Sequence, residues 1–397
     1  MAQKGGDRRL GGEVNRESLD GRVMLMENTG RAAVFVGANE PLDIREYPVL
    51  QPGKGDVLLR LARSGICGTD VHIMEGRLAI PPTFIPGHEF IGVVMGIGED
   101  AGKDALGYPI GPGDMAVACV AMPCGTCFNC RQGETANCLN FGVTYVRDPQ
   151  EPPHFFGGYA EYLHHPARCL VKMPAGVDLD ATAAFPCAGP TAIRAFELAG
   201  GLTAGEVVVV QGTGPVGLFA IAWATQHGCR VLAIGSGNNV ERMDLAHRLG
   251  AEVVVDYRTT PPEERAAMVV EMAKSAGRGD GADVVFEASG SPSAIPEGLQ
   301  LVRTLGRYIV PGQYSNSGGI EIQPQMITFK AIRIIGSGQY RVSDIRTYLR
   351  FLKRSTETQS KLAACITNRY AVSQANEACA DASSGKAVKA VFSAESA

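Results

Sequence analysis

Three glycines at fixed spacing, in Gly212-Thr213-Gly214-Pro215-Val216-Gly217, limit the fold of this chain more than any other feature. They follow an apolar, valine-rich run at residues 206–211 and open an apolar stretch of helical character that reaches about residue 227. A Gly-x-Gly-x-x-Gly pattern alone is a weak signal. With a strand before it and a helix after it, the glycines let the backbone approach a pyrophosphate at the positive end of a helix. The alternation recurs downstream, with strand-like runs at 230–234, 252–256, 282–287, 307–310 and 331–335 and helical stretches between most of them. Six such strands joined by crossover helices predict a doubly wound parallel sheet, an α/β dinucleotide-binding domain, over residues 189–339.

The second strand of such a sheet normally ends in an acid that binds the adenosine ribose hydroxyls. Here it runs into Ile234-Gly235-Ser236-Gly237-Asn238-Asn239, with no acid. That lifts the repulsion against a 2'-phosphate, for which Ser236, the helix-starting amides and Arg242 are candidate partners. Arg242 reads equally well as a solvated helix residue, so NAD and NADP both stay open.

The first half of the chain has a different rhythm. Short β-like runs at 32–36, 56–61, 90–94 and 115–120 are broken by glycine and proline, which predicts a small barrel-like β domain. Two chemical clusters lie in its loops. In the first, Cys67, Thr69, Asp70 and His72 fall within six residues, and His88-Glu89 begins sixteen residues after His72. A thiolate and an imidazole are preferred zinc ligands, an acid such as Asp70 can orient an imidazole, and Thr69 with His72 can pass a proton outward. A buried cysteine and a satisfied histidine would give the same letters. The second cluster is Cys124, Cys127, Cys130 and Cys138, whose spacing suits four thiolates around one zinc or around an iron–sulfur cluster, with unliganded thiols as the third reading. A closed four-thiolate site has no open position for substrate, so its role is to hold a lobe, about residues 120–140, together.

With 37 basic against 41 acidic residues, a net charge of -4 gives no electrostatic footprint for nucleic acid. The most apolar windows stop short of the roughly 20 residues a membrane span requires. Arg8-Arg9 lacks a following apolar segment, so the sequence reads as cytoplasmic, with residues 1–28 as a flexible extension. Eleven cysteines cannot all pair within one chain, and metal explains them better than disulfides. After about residue 338 come two helical segments, 343–354 and 373–383, and an apolar strand, 387–392. This tail is expected to return to the first domain, which then comprises residues 29–188 and 340–397, and to close a cleft.

Taken in order, the Cys-x-x-Asp-x-His segment, the Gly-His-Glu, the four-cysteine lobe and the glycine fingerprint resemble the zinc-dependent alcohol dehydrogenases of the medium-chain dehydrogenase/reductase superfamily, over about residues 30–395. The resemblance implies a GroES-like β-barrel catalytic domain beside a Rossmann domain, two zinc ions per subunit, and NAD or NADP. It implies a catalytic zinc on Cys67, His88 and Cys187, with Glu89 behind the metal and Asp70 holding His88. It implies a structural zinc on Cys124, Cys127, Cys130 and Cys138, and places Thr191 near the nicotinamide. Gly212, Gly214, Pro215, Val216 and Gly217 would cradle the pyrophosphate, and Thr69 and His72 would relay the substrate's proton. Cys187 stands where polyol dehydrogenases of the family commonly carry glutamate, which favours simple alcohols. Val120 occupies a pocket position often aromatic in enzymes for small primary alcohols, so secondary or bulky alcohols and their ketones are expected. His154-Phe155-Phe156 reads as pocket lining or as buried aromatics. Polyol, amino-alcohol or glutathione-adduct oxidation, and a non-catalytic nucleotide-binding relative, are the alternatives. A homodimer or homotetramer, with residues 331–335 as a sheet-edge contact, completes the expectation. Cys119, Cys169, Cys229, Cys365 and Cys379 match no ligand position.

Overall fold

The computed structural model describes residues 24–119, 121–140, 142, 143 and 145–394; Val120 and residues 1–23 lie outside the described residues. The chain begins with β1 (Met24–Val34), β2 (Asp43–Leu50), β3 (Asp56–Gly65), helix α1 (Gly68–Met74), β4 (Phe90–Ile97) and β5 (Met115–Ala118). The two-residue strands β6 (Ala121–Met122) and β7 (Gly142–Val143) pair with each other around α2 (Phe128–Arg131). β8 (Tyr162–Pro166), β9 (Leu170–Lys172), α3 (Leu179–Ala184) and α4 (Ala188–Leu198) follow. The expected extension is therefore entered by β1, which already starts at Met24.

The second region alternates strictly: β10 (Val207–Gln211), α5 (Pro215–Gln226), β11 (Arg230–Gly235), α6 (Val240–Arg248), β12 (Val253–Asp256), α7 (Pro262–Ser275), β13 (Ala282–Glu287), α8 (Ala294–Leu301), β14 (Val302–Val310), α9 (Gln325–Lys330) and β15 (Arg333–Gly336). All neighbours are parallel, in the order β12-β11-β10-β13-β14-β15. β10 lies in the middle, and its four valines are fully buried because helices cover both faces of the sheet. α5 is apolar all round and packs into that core: Leu218, Phe219 and Ile221 are fully buried. The strand order reverses between β10 and β13, and ligands of such sheets bind outside the strand ends at that crevice.

The tail forms α10 (Val342–Lys353), α11 (Thr356–Ala363), β16 (Ile366–Tyr370), α12 (Ala375–Ser383) and β17 (Lys389–Ser393). β17 pairs antiparallel with β3, Val391 opposite Gly65, inside the sheet β16-β17-β3-β4-β5-β9, to which β8 adds on β3. The last strand thus lies beside the strand that delivers Cys67. Tyr348 of α10 donates from its hydroxyl to the carbonyls of Ala181 (2.7 Å) and Thr182 (3.0 Å), anchoring the tail to α3. Among the described residues no helix is long and apolar enough to cross a membrane.

Candidate active site

Cys67 ends the link from β3 and caps α1: its N–H donates to Asp70 Oδ2 at 2.9 Å, satisfying a helix-end donor that has no partner within the helix. The other oxygen of the same fully buried carboxylate, Asp70 Oδ1, lies 3.2 Å from His88 Nδ1. With Nδ1 turned to Asp70, His88 presents Nε2 to the cluster. Cys187 reaches the same point from the start of α4, and one ligand atom each from Cys67, His88, Glu89 and Cys187 lies within 4.8 Å of the others. Two sulfurs, an imidazole and a nearby carboxylate are a donor set that zinc accepts.

The electrostatics of this group agree. The hydrogen bond from Cys187 holds the Cys67 thiol well below its ordinary range, despite burial. The same bond, with burial, pushes Cys187 well up. At His88 burial disfavours the cation, but the Asp70 carboxylate and the Cys67 thiolate together hold its pKa well above the usual value. A divalent cation bound by this group would displace protons from its ligands. Glu89, 1% exposed, is pushed up to about 7 by burial against the opposing pull of Lys389. Lys389 Nζ pairs with Glu89 and donates to Ile66 O at 3.1 Å. Sequence reasoning missed Lys389; its only signal is a lone charge inside an apolar strand.

In front of the cluster lies a cavity of about 250 Å³. Thr69 and His72 of α1 line it, and Thr69 Oγ1 is 3.8 Å from Cys67 Sγ. Thr191, Gly214, Pro215 and Val216 line its nucleotide side, so the cavity runs from the cluster to the start of α5. The fingerprint glycines have separate reasons. Gly212 has φ +104°, Gly214 caps α5, and a Cβ on Gly217 would strike the Gly212 carbonyl. Tyr145, Tyr314 and Tyr340 add aromatic walls that sequence reasoning did not single out. His154, Phe155 and Phe156 are buried and do not line this cavity.

At the far end of the nucleotide side, Ser236 occupies the β11–α6 turn, its Oγ 3.4 Å from the Asn238 amide. Arg242 is drawn toward the returning tail, its Nη2 donating to Ala387 O at 3.3 Å. The cation at the turn is instead Arg258, whose Nη1 donates to Asn238 Oδ1. Asp256 lies beneath the turn, and backbone N–H groups of Gly237 and Arg258 hold its pKa below the ordinary value.

The four lobe sulfurs, of Cys124, Cys127, Cys130 and Cys138, also lie within 4.8 Å of one another. Backbone amides point at them: Cys127 N–H to Cys124 Sγ (3.3 Å), Cys130 N–H to Cys127 Sγ (3.5 Å) and Cys124 N–H to Cys138 Sγ (3.3 Å). Hydrogen bonds from Thr126 lead those that bring Cys124 down to about 5, a thiolate suited to a metal. All eleven cysteines are free, and the five outside the two clusters are buried except Cys379, which is half-buried.

Comparison with known proteins matches residues 53–175 to the family described as "Alcohol dehydrogenase GroES-like domain" and residues 215–354 to "Zinc-binding dehydrogenase". A 5-exo-hydroxycamphor dehydrogenase of Pseudomonas putida is 32% identical over 366 residues, 91% of this chain and 98% of that protein. A sorbitol dehydrogenase of Halalkalibacterium halodurans is 28% identical over 351 residues, 88% of this chain and 94% of the relative. The crystal structure of an alcohol dehydrogenase from Thermotoga maritima superposes with a TM-score of 0.85 at 30% identity, covering 93% of this chain and all of that one.

Proposed function

The chain belongs to the zinc-dependent alcohol dehydrogenases of the medium-chain dehydrogenase/reductase superfamily, and we propose that it oxidises a secondary or bulky, largely apolar alcohol reversibly to the ketone. Zinc and NAD or NADP are its cofactors. The observation that carries the substrate reading is the cavity wall. Apart from the histidines and the cysteines of the cluster, the charged side chains among its described lining residues are Glu89 and Lys389, and these are spent on each other. Among the described lining residues no further charge is left to pair with the ammonium and carboxylate of an amino acid, while tyrosines and small residues suit a hydrocarbon body. The hydroxycamphor relative acts on an alcohol of that kind.

Cys67, His88 and Cys187 would hold the catalytic zinc and the four lobe cysteines the structural one, over a catalytic domain of residues 29–188 and 340–397 and a nucleotide domain of 189–339. Bound there, zinc supplies a Lewis acid for the substrate oxygen and the nicotinamide exchanges the hydride. The chain's own groups do the rest. Asp70 fixes the His88 ring. Thr69, beside Cys67, would accept the proton of the substrate hydroxyl while passing on its own, and His72, three residues further along α1 and also lining the cavity, would carry a proton outward. Burial and Arg77 lower the His72 pKa, which keeps the ring neutral and able to accept. The α5 amides receive the pyrophosphate. Ser236 and Arg258 would receive a 2'-phosphate, since Asp256 is occupied by the turn's own amides. The protein would work in the reducing cytoplasm, which suits eleven free thiols, as a homodimer or homotetramer. Edge strand β15, with Ile334 45% exposed, and Phe329, 82% exposed, offer the contact.

The test is nicotinamide reduction by the zinc-loaded protein across primary, secondary, cyclic and polyhydric alcohols. Bulky secondary alcohols should show the highest kcat/KM. A preference for ethanol, sorbitol or threonine would overturn the substrate reading.

A further inference from the structure

Helix α4 carries three functional side chains on one face. Cys187 caps it, Thr191 follows four residues later and Arg194 seven residues later, a spacing that stacks them along the helix. The first two line the active-site cavity. The third points to neither cavity nor solvent: Arg194 is 2% exposed, and its Nη2 pairs with Glu134 Oε2.

Glu134 belongs to the four-cysteine lobe, between Cys130 and Cys138, where its own N–H donates to Asn129 O at 2.9 Å. Its backbone is thereby fixed by the loop that the four sulfurs close. The charge chain continues away from the lobe. Arg194 Nη1 lies 3.4 Å from Glu197 Oε2, the same oxygen that receives Arg341 Nη2. Arg341 is held at the start of α10 by Asp344, through its N–H at 2.7 Å and Nη2 at 2.8 Å. The two residues before it, Gln339 and Tyr340, form part of the cavity wall. One line of alternating charges therefore runs from the lobe through α4 to that wall.

The ion pair adds a link that the apolar packing of α4 does not make. Ala192, Ile193, Ala195 and Phe196 bury α4 in the core, but these contacts do not reach the four-cysteine lobe, which the Arg194–Glu134 pair does. A guanidinium between two carboxylates is directional. Burying it costs stability that an apolar side chain would not, so the arginine at this site needs a reason other than stability.

We propose that Arg194 is a positioning residue: paired with Glu134, it ties the four-cysteine lobe to α4 and so sets where Cys187 meets the catalytic metal and Thr191 meets the cofactor. The lobe is then a support for the active site and not only for its own loop. This rests on the zinc and nicotinamide reading above.

The test compares Glu134→Ala, Glu134→Gln and Arg194→Met with the zinc-loaded wild-type protein. It follows reduced-nicotinamide binding by fluorescence, release of each zinc to a chelator, and the split between KM for the cofactor and kcat. Glu134→Ala should weaken cofactor binding and speed release of one zinc by about threefold to tenfold while the lobe keeps its own zinc. Glu134→Gln, which still accepts a hydrogen bond, should lie nearer the wild type, and Arg194→Met should match Glu134→Ala if it folds. Cofactor binding and zinc release unchanged within twofold in Glu134→Ala would overturn the tether, as would loss of the lobe zinc itself in that variant. Failure of the wild type to bind zinc or reduced cofactor would instead sink the parent reading, and the tether with it.

Discussion

Replacing Lys389 by methionine should destabilise the fold about as much as emptying a large core site. The Glu89–Lys389 side chains are each 1% exposed. Opposite charges about 3 Å apart attract by about 5 kcal/mol at an effective dielectric of about 20. Desolvating both ions takes back a comparable amount, so the intact pair contributes little net stability. Removing only the lysine leaves the Glu89 carboxylate in a site shaped around it, where even a Cβ on Gly65 would collide with Oε2. The expected loss is about 3–5 kcal/mol. The double variant Lys389→Met with Glu89→Met removes both charges and leaves mainly the Ile66 carbonyl without its donor, a deficit of about 1–2 kcal/mol. It should therefore be more stable than either single variant. Urea unfolding followed by circular dichroism measures this, after zinc content has been shown equal in all four proteins. Additive losses in the double variant would refute the argument, because they would mean that the two charges do not depend on each other.

Three further outcomes test the site and its surroundings. Thr69→Val should lower kcat by about 10²–10⁴-fold with zinc content unchanged, and activity within tenfold of wild type would remove Thr69 from the proton path. Arg258→Ala should raise KM for NADP about tenfold and leave KM for NAD nearly constant, the size of one lost charge-assisted hydrogen bond; equal effects on both cofactors would place the 2'-phosphate elsewhere. His165, fully buried with Nε2 2.9 Å from Cys119 O, is brought from 6.5 down to about 4 by burial. The unfolded chain takes up a proton below 6.5 that the folded one refuses until about 4, so stability is complete above pH 6.5 and falls by about 3 kcal/mol as the pH drops to 4. His165→Gln should flatten that slope in a denaturation series; an unchanged slope would assign it to other groups.

Much of this molecule is legible in its sequence, for reasons that differ by element. All six strands of the nucleotide domain can be read, because parallel strands covered on both faces are continuous apolar runs with turn signals between them. The start of β14 is not: expected at 307, it lies at Val302, because Arg303 to Leu305 are polar or exposed and Leu305 takes φ +61° where the register to β13 shifts. α11 and β16 are missed because Thr356–Ala363 shows no strong apolar face and Ile366–Tyr370 is polar in the middle; a local cap, the Ser355 hydroxyl accepting the Thr358 N–H at 3.1 Å, starts the helix instead. The four lobe cysteines announce themselves by spacing. Lys389 with Glu89, Arg194 with Glu134 and Arg258 with Asn238 are contacts made across 300, 60 and 20 residues, and no local pattern encodes them.

The most informative stretch, residues 67–72, is legible because it is a folding signal as well as a chemical one. A side-chain acceptor three residues after a helix cap is what the backbone needs there, and Asp70 supplies it to the Cys67 amide. The carboxylate that starts the helix is also the one that faces His88, so one side chain couples the start of α1 to the orientation of that imidazole. Asp70→Asn would keep an oxygen for the Cys67 amide while withdrawing the charge that faces His88 Nδ1, whereas Asp70→Ala withdraws both. A chain that lost the acid would therefore lose both the start of α1 and the partner of the His88 ring, which ties Cys67 and Asp70 together in sequence although His88 and Cys187 reach the cluster from far along the chain.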